Sequence, residues 1–354
     1  MTINKFAILS IALSTFFISC NDDSDTMDLE SDYSNGILIT GEGSGAITGS
    51  ITFVPQDLST PSQLIYKTEN DSELGTHLQS MAFSDTRAYI SVDNQHTITV
   101  VDRYSFKEIA KINSQLEHPR YMTVVGTKGY STNWGSTAVD TDDFIAVIDL
   151  NSNTVEKTIS VGLGPERIIA RDGKLYISHK GAFDVNNIVS VIDIETEAVV
   201  EITVGDKPDE LFFDANGNLF VLSEGAVEYD SNWNVIGNTL GSIAKINSQT
   251  NTVMTTINFG DEEHPSLLEI DGDNLYYFLN TEVYTLKTSD TSLPTTPLIE
   301  TGGIYGMAIR DNQLYSIVAS FSTLSDLNVY DLSSKSLIET LEVGVAASKI
   351  YFND

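Results

Sequence analysis

The chain is poor in the residues that most often carry chemistry. It has one cysteine, Cys20, in 354 residues, so no intrachain disulfide can form and stability must come from packing. Its histidines, His77, His96, His118, His179 and His264, show neither an HExxH motif nor any other paired-ligand spacing, which removes the common zinc sites. Basic side chains are scarce as well. Only 19 Lys and Arg stand against 50 Asp and Glu, a formal net charge of −31. Such a surface repels phosphate backbones and anionic headgroups, so no nucleic-acid partner is expected. The most apolar stretch, FAILSIALSTFFIS (6–19), is too short for a stable membrane span. GxSxG elbows, Walker loops and dinucleotide fingerprints are missing from any strand-turn-helix setting. GEGSGAITG (41–49) is glycine-rich, yet it joins two strands and lacks the helix that would hold phosphate. No catalytic residue, metal or cofactor is assigned, and the chain is expected not to be an enzyme.

What the chain does have is a repeated phrase. VIDLNSNTVEKTISVGLGPERI (147–168) is followed by VIDIETEAVVEITVGDKPDEL (191–211). With 41% hydrophobic and 9% aromatic residues the chain can bury a large core, and a constant period lets one domain absorb most of its length. One unit reads as strand A (RIIAR, 167–171), a turn at Asp172-Gly173, strand B (KLYISHK, 174–180), strand C (IVSVIDI, 188–194), a turn at Glu195-Thr196-Glu197, and strand D (AVVEITV, 198–204). These runs are short, β-branched and bounded by turn residues, as antiparallel strands require.

B strands recur near Ile37, Ala88, Gly129, Leu175, Leu219, Leu275 and Leu314. A strands recur as SMAF (80–83), RYMTV (120–124), RIIA (167–170), ELFF (210–213), SLLEI (266–270), YGMAI (305–309) and KIYF (349–352). Both sets number seven, at about 45 residues per unit, which is the propeller range. The series opens on a B strand and closes on an A strand. The prediction is an all-β, seven-bladed β-propeller of four-stranded antiparallel blades, in which the C-terminal strand completes the first blade and hides the sheet edges.

Alternating strand direction puts A–B and C–D turns on one face and B–C and D–A connections on the other. The first set reads as tight and plain. The second includes STNWGSTAVDTDD (131–143), HKGAFDVNN (179–187), SEGAVEYDSNWNVIGNTLG (223–241) and ASFSTLSD (319–326). Trp134, Phe183, Tyr229, Trp233 and Phe321 fall in these loops, either as a recognition surface on a rigid scaffold or as small local cores under their own loops. The D–A connections bring polar groups to the mouth of the channel: His118 and Arg120, Glu166 and Arg167, Asp209 and Glu210, His264, and Tyr305. His118-Pro119 and His264-Pro265 occupy equivalent positions there, and also read as repeat turn residues. The candidate contact set is Gln79, Arg120, Asn133, Trp134, Arg167, His179, Phe183, Glu210, Tyr229, Trp233, His264 and Tyr305. Asp140, Asp142 and Asp143 read as a calcium loop or, more simply, as a solvated turn.

The VIDL…TISVG…P phrasing resembles YVTN-repeat, YncE-like propellers. GILITGEG (36–43), LGTHLQSMAF (74–83), VVDRYSFKEIAKI (100–112), HPRYM (118–122) and VYDLSSKSLIETLEVG (329–344) together resemble the DUF5074 surface lipoproteins of Bacteroidetes, a family that includes the cobalamin-binding lipoprotein BtuG. VGVAAS (343–348) departs from the pattern, with Ala where the repeat usually has Pro. FISC (17–20) resembles a lipobox, with Phe17 in place of the preferred Leu. On that resemblance, residues 1–19 form a lipoprotein signal peptide, and 20–35 the lipidated Cys20 with an acidic flexible tether. Residues 36–354 form the propeller.

The resemblance implies a chain anchored in the outer membrane through lipid alone and facing the cell exterior. It would bind cobalamin or a related corrinoid on the B–C/D–A face and pass it to a TonB-dependent transporter. Two other readings stay open. One is a protein-interaction or adhesion propeller, and the other is a propeller hydrolase, lyase or quinoprotein-like enzyme.

Overall fold

The structure, a computed structural model, describes residues 32–354. The expected signal peptide, Cys20 and most of the acidic tether lie outside these residues. Strand β1 (Gly36–Gly41) is followed by β2 (Ser50–Pro55) and a short helix α1 (Ile65–Asn70). Blade 2 is β3 (Leu78–Phe83), β4 (Arg87–Val92), β5 (Thr97–Asp102) and β6 (Glu108–Ile112). Blade 3 is β7 (Pro119–Val125), β8 (Lys128–Asn133), β9 (Phe144–Asp149) and β10 (Thr154–Ser160). Blade 4 is β11 (Pro165–Arg171), β12 (Lys174–His179), β13 (Ile188–Asp193) and β14 (Val199–Thr203).

Blade 5 begins with β15 (Pro208–Phe213) and β16 (Asn218–Ser223). A small hairpin, β17 (Val227–Tyr229) and β18 (Val235–Asn238), interrupts it before β19 (Ser242–Asn247) and β20 (Thr252–Asn258). Blade 6 is β21 (Ser266–Asp271), β22 (Asn274–Leu279), β23 (Glu282–Lys287) and the two-residue β24 (Ile299–Glu300). Blade 7 is β25 (Gly306–Arg310), β26 (Gln313–Val318), β27 (Leu324–Asp331) and β28 (Ser336–Val345), after which β29 (Ala347–Asn353) pairs antiparallel with β1. The result is the expected seven-bladed propeller, closed by its last strand.

Packing explains why B and C strands read as near-continuous apolar runs. Each blade is covered on both faces by its neighbours, so β9 (FIAVID) and β13 (IVSVID) bury their four central residues without alternation. The D strands lie at the rim and are mostly exposed, as in β10 and β14. One buried apolar cluster fills each seam. Tyr89, Ile98 and Val100 of blade 2, for example, meet Met122, Ala146 and Ile148 of blade 3. The closing seam packs Ile37, Ile39 and Ala347 against Ile317, Leu327 and Val329.

The Asp that ends each VID, or VYD in blade 7, has a mechanical role. The Asp149 carboxylate accepts the backbone N–H of Asn151, Asp193 accepts those of Glu195 and Thr196, and Asp331 accepts that of Ser334. Each closes the turn from strand C to strand D, and these hydrogen bonds hold all three carboxyls below the usual carboxylate range.

Four details differ from the sequence-based expectation. Blade 1 has three strands, with only the isolated bridge Phe53↔Ser62 at its outer edge, because the chain turns there into α1. In blade 6 the B–C connection is a tight turn at Asn280-Thr281, whereas the C–D connection, 288–298, is long and carries two prolines. Tyr33, assigned to the tether, is buried and stands edge-on to Phe53 and Phe106, while its hydroxyl donates to Glu69 at 2.8 Å. Finally, several A strands break their pairing register next to the first residue, a detail that shapes the channel mouth. Among the described residues, no helix is long and apolar enough to cross a membrane.

Candidate functional site

Several A strands start at the channel mouth with a β-bulge. The register shifts between Pro119 and Met122, between Pro165 and Ile168, between Pro208 and Leu211, and between Ser266 and Glu269. In a regular strand consecutive side chains point to opposite faces. A bulge re-aims them, and here both residues of each pair, Arg120/Tyr121, Glu166/Arg167, Asp209/Glu210 and Ser266/Leu267, line one cavity of about 300 Å³. Residues just before these strands take left-handed backbone: His118 (φ 50°), Gly164 (φ 65°), Lys207 (φ 53°) and Ala346 (φ 51°). The Ala-for-Pro departure in the last connection therefore preserves the turn geometry.

The cavity is densely charged, with Arg120, Arg167, Lys180 and Lys349 facing Glu42, Glu166, Asp209, Glu210 and Glu224. Arg120 holds Glu166 through two hydrogen bonds (2.9 and 3.2 Å) and Asp93 through a third (3.1 Å), and His118 Nδ1 meets Asp93 at 2.9 Å. Arg167 donates to Asp209 at 3.0 Å and to Glu210, while Lys180 bridges Asp209 (2.9 Å) and Glu224 (2.8 Å). Aromatic rings back this network. The Arg120 guanidinium lies 3.8 Å from the Trp134 ring centroid and that of Arg167 4.4 Å from Tyr121, which fixes both planes.

Burial pushes the Glu210 carboxyl up, whereas Lys180 and Arg167 overcome the burial of Asp209 and hold it far below its usual range. A second chamber of about 340 Å³ lies deeper and shares Arg167, Glu210, Leu267 and Lys349 with the first. Burial and the neighbouring Glu210 keep Glu269, in that chamber, well above the ordinary glutamate value.

Outside the mouth stands a rim of aromatic side chains. Phe183 is 81% exposed, Trp233 82%, Phe321 57%, Tyr229 51% and Tyr305 42%. They come in pairs: Trp134 with Phe183 (5.7 Å between centroids), Tyr229 with Trp233 (6.0 Å) and Tyr305 with Phe321 (5.6 Å). Trp134 is half-buried and pinned by its Nε1–H to the Pro165 carbonyl at 3.0 Å.

The structure brings Gln79, Arg120, Arg167, Glu210 and Tyr305 together in the cavity wall. Phe183, Tyr229 and Trp233 stand on the rim beside the half-buried Trp134. Three residues of the expected set lie elsewhere. Asn133 and His179 end their B strands opposite Pro119 and Pro165 and are fully buried. The Asn133 amide donates to the Ser131 carbonyl and accepts from Glu117 N–H. His179 contacts the Leu163 carbonyl through Nδ1 (3.2 Å) and Ser190 Oγ through Nε2 (2.8 Å), and burial lowers its pKa to about 4. His264 contacts the Glu224 carbonyl and Asn238, tying the inserted hairpin to blade 6.

Sequence reasoning placed Glu166 and Asp209 beside Arg167 and Glu210 at the strand starts, where the structure has them, and missed Glu42, Tyr121, Lys180, Glu224 and Lys349. The available signal was positional: Tyr121, Arg167, Glu210, Leu267 and Lys349 all lie two residues after the Pro of the repeat or its equivalent. Asp140, Asp142 and Asp143 do not build a metal centre, and no group of three His, Cys, Asp or Glu is placed to hold a metal among the described residues.

A family model described as a domain of unknown function, DUF5074, matches residues 35–351. No curated protein matches the chain. Among solved structures, a quinonprotein alcohol dehydrogenase-like protein from Bacteroides thetaiotaomicron is similar at 17% identity, with a TM-score of 0.64 over 91% of this chain and 79% of that one. A periplasmic gluconolactonase from Pseudomonas aeruginosa is similar at 12% identity, with a TM-score of 0.63 over 90% of this chain and 99% of that one. AztD from Citrobacter koseri matches at 9% identity, with a TM-score of 0.52 over 89% and 96%. At these identities the likeness shows a shared propeller fold.

Proposed function

Because the chain belongs to the DUF5074 family, we propose that it is a receptor rather than an enzyme, anchored by lipid at Cys20 on the outer face of the outer membrane. On the B–C/D–A face it binds a bulky nutrient, a corrinoid such as cobalamin, and passes it to a TonB-dependent transporter. The observation that carries the binding reading is the pairing of a charged cavity with exposed aromatic rings on the same face. A corrinoid presents broad apolar surfaces edged by amides. Exposed rings suit the first, and the unused N–H groups of Arg120 and Arg167, with Gln79, suit the second. The choice of corrinoid rests on the sequence resemblance, and so do the lipid anchor and the transporter.

Calorimetric titration of residues 32–354 with cyanocobalamin tests it. Saturable binding is expected at micromolar protein, and Trp233→Ala should weaken it by about tenfold, as loss of an exposed aromatic anchor does. No heat of binding at micromolar protein would overturn the corrinoid assignment. Co-purification of the full chain with an outer-membrane transporter tests the hand-over.

A further inference from the structure

A separate cavity of about 160 Å³ lies between the B–C loops of blades 3 and 4. Trp134, Val139, Leu163 and Phe183 form the apolar part of its wall, and polar groups, Asp140 and Asp143 among them, form the rest. Asp143 is 1% exposed. One carboxylate oxygen, Oδ2, accepts the Gly164 N–H at 2.5 Å, and the other, Oδ1, is buried with no hydrogen-bond partner. A charged acceptor left in that state is costly. Its charged neighbours sharpen the imbalance: Asp140 and Asp142 share its loop, Asp184 lines the opposite wall, and among the described residues no basic side chain is bonded to it. Arg120, behind Trp134, is already committed to Glu166 and Asp93.

We propose that this cavity binds a primary ammonium group carried on a short apolar stem. The unpartnered Asp143 oxygen calls for an N–H donor of positive charge. Trp134 and Phe183 offer ring surface that attracts a cation and covers methylenes. A cavity of about 150 Å³ accommodates a six-carbon ring, so a butyl stem fits. The walls are set in advance. Gly164 (φ 65°) and Gly181 (φ 98°) press the loops together, and a Cβ on Gly164 would come within 2.2 Å of Ala182 N. A calcium ion would need six or more oxygen ligands, and no group of three His, Cys, Asp or Glu is placed to hold a metal among the described residues.

The test uses tryptophan fluorescence in the full chain carrying Trp233→Phe, which leaves Trp134 as the only tryptophan. Titration with n-butylammonium chloride at physiological salt should give a saturable change. Asp143→Asn keeps an acceptor for the Gly164 N–H but removes the charge, and should weaken binding at least about tenfold. Phe183→Ala, at an exposed position, should weaken it by about threefold. Tetramethylammonium, which has no N–H, should bind at least about tenfold less tightly, as should n-butanol, which has no charge. The proposal is overturned if no saturable change occurs or if Asp143→Asn binds with unaltered affinity. It is also overturned if tetramethylammonium binds as tightly, or if calcium chloride alone produces the same Asp143-dependent change. The cyanocobalamin titration is independent, so either proposal can fail without the other.

Discussion

Acidification from about pH 7 to about pH 5 should destabilise the propeller by about 2 kcal/mol through a single side chain, His179. The imidazole is fully buried, its Nδ1–H donates to the Leu163 carbonyl and its Nε2 accepts from Ser190. Protonation would turn Nε2 into a donor, force the Ser190 hydroxyl to give up its hydrogen bond to it, and place a positive charge in a fully buried site. Burial accordingly lowers the pKa from the ordinary 6.5 to about 4. A histidine depressed in the folded state contributes stability that is complete above the unfolded value and is lost as pH falls towards the folded one. The gap is worth about 3 kcal/mol at the acid limit.

Other carboxyls titrate in the same range, so the measurement is a difference. Asn133 holds the equivalent position in blade 3, opposite Pro119 as His179 is opposite Pro165, which makes His179→Asn the natural substitution. Urea unfolding of both proteins at several pH values gives the stability gap between them. The gap should shift by about 2 kcal/mol over that range, in the direction that penalises the wild type at low pH. A gap constant to within about 0.5 kcal/mol would refute the assignment of His179 as a buried neutral group.

Arg167→Met should destabilise the protein by about 3 to 5 kcal/mol in urea, because Asp209 and Glu210 lose a buried partner. Glu210→Gln, which retains a hydrogen-bond acceptor, should cost clearly less. Gly164→Ala should lower stability by more than about 1 kcal/mol, since the position combines φ 65° with a 2.2 Å approach to Ala182 N. A neutral result in thermal unfolding would mean that these loops are not packed as described. Trp233→Ala should leave stability unchanged to within about 0.5 kcal/mol, its ring being 82% exposed, while weakening cyanocobalamin binding.

The propeller was legible in the sequence because its repeat writes the same local physics many times. An apolar run buried on both faces, an Asp that closes the next turn and a Pro that opens strand A recur, and each blade needs only its neighbours to bury its core. Count, order and closure followed from that. Departures such as α1 beside a three-stranded first blade, or the long 288–298 connection, arise where one copy drops the phrase. Part of the mouth was legible too, since Arg120, Glu166, Arg167, Asp209, Glu210 and Tyr305 all sit at strand starts.

The rest was not legible, for reasons visible at particular residues. His179 and Trp233 both lie at or beyond the end of a B strand in loop-rich stretches, yet one is sealed between strands and the other stands in solvent. Composition is the same in both cases; only packing separates them. Asp143 looked like one acid in a solvated turn. The approach of the Gly164 connection turns it into a buried group with an unmet oxygen. Glu166 with Arg167 and Asp209 with Glu210 were readable as neighbours at strand starts, but simple alternation would turn only one of each pair into the channel. The bulge after each Pro puts both there, because pairing with strand B slips locally, and that slip depends on a partner strand the repeat phrase does not contain. By itself the sequence determined a ring of blades and the face where its irregular loops gather. The tertiary structure decided which charges meet across the axis, since that depends on strand register and seam packing between segments far apart in the chain.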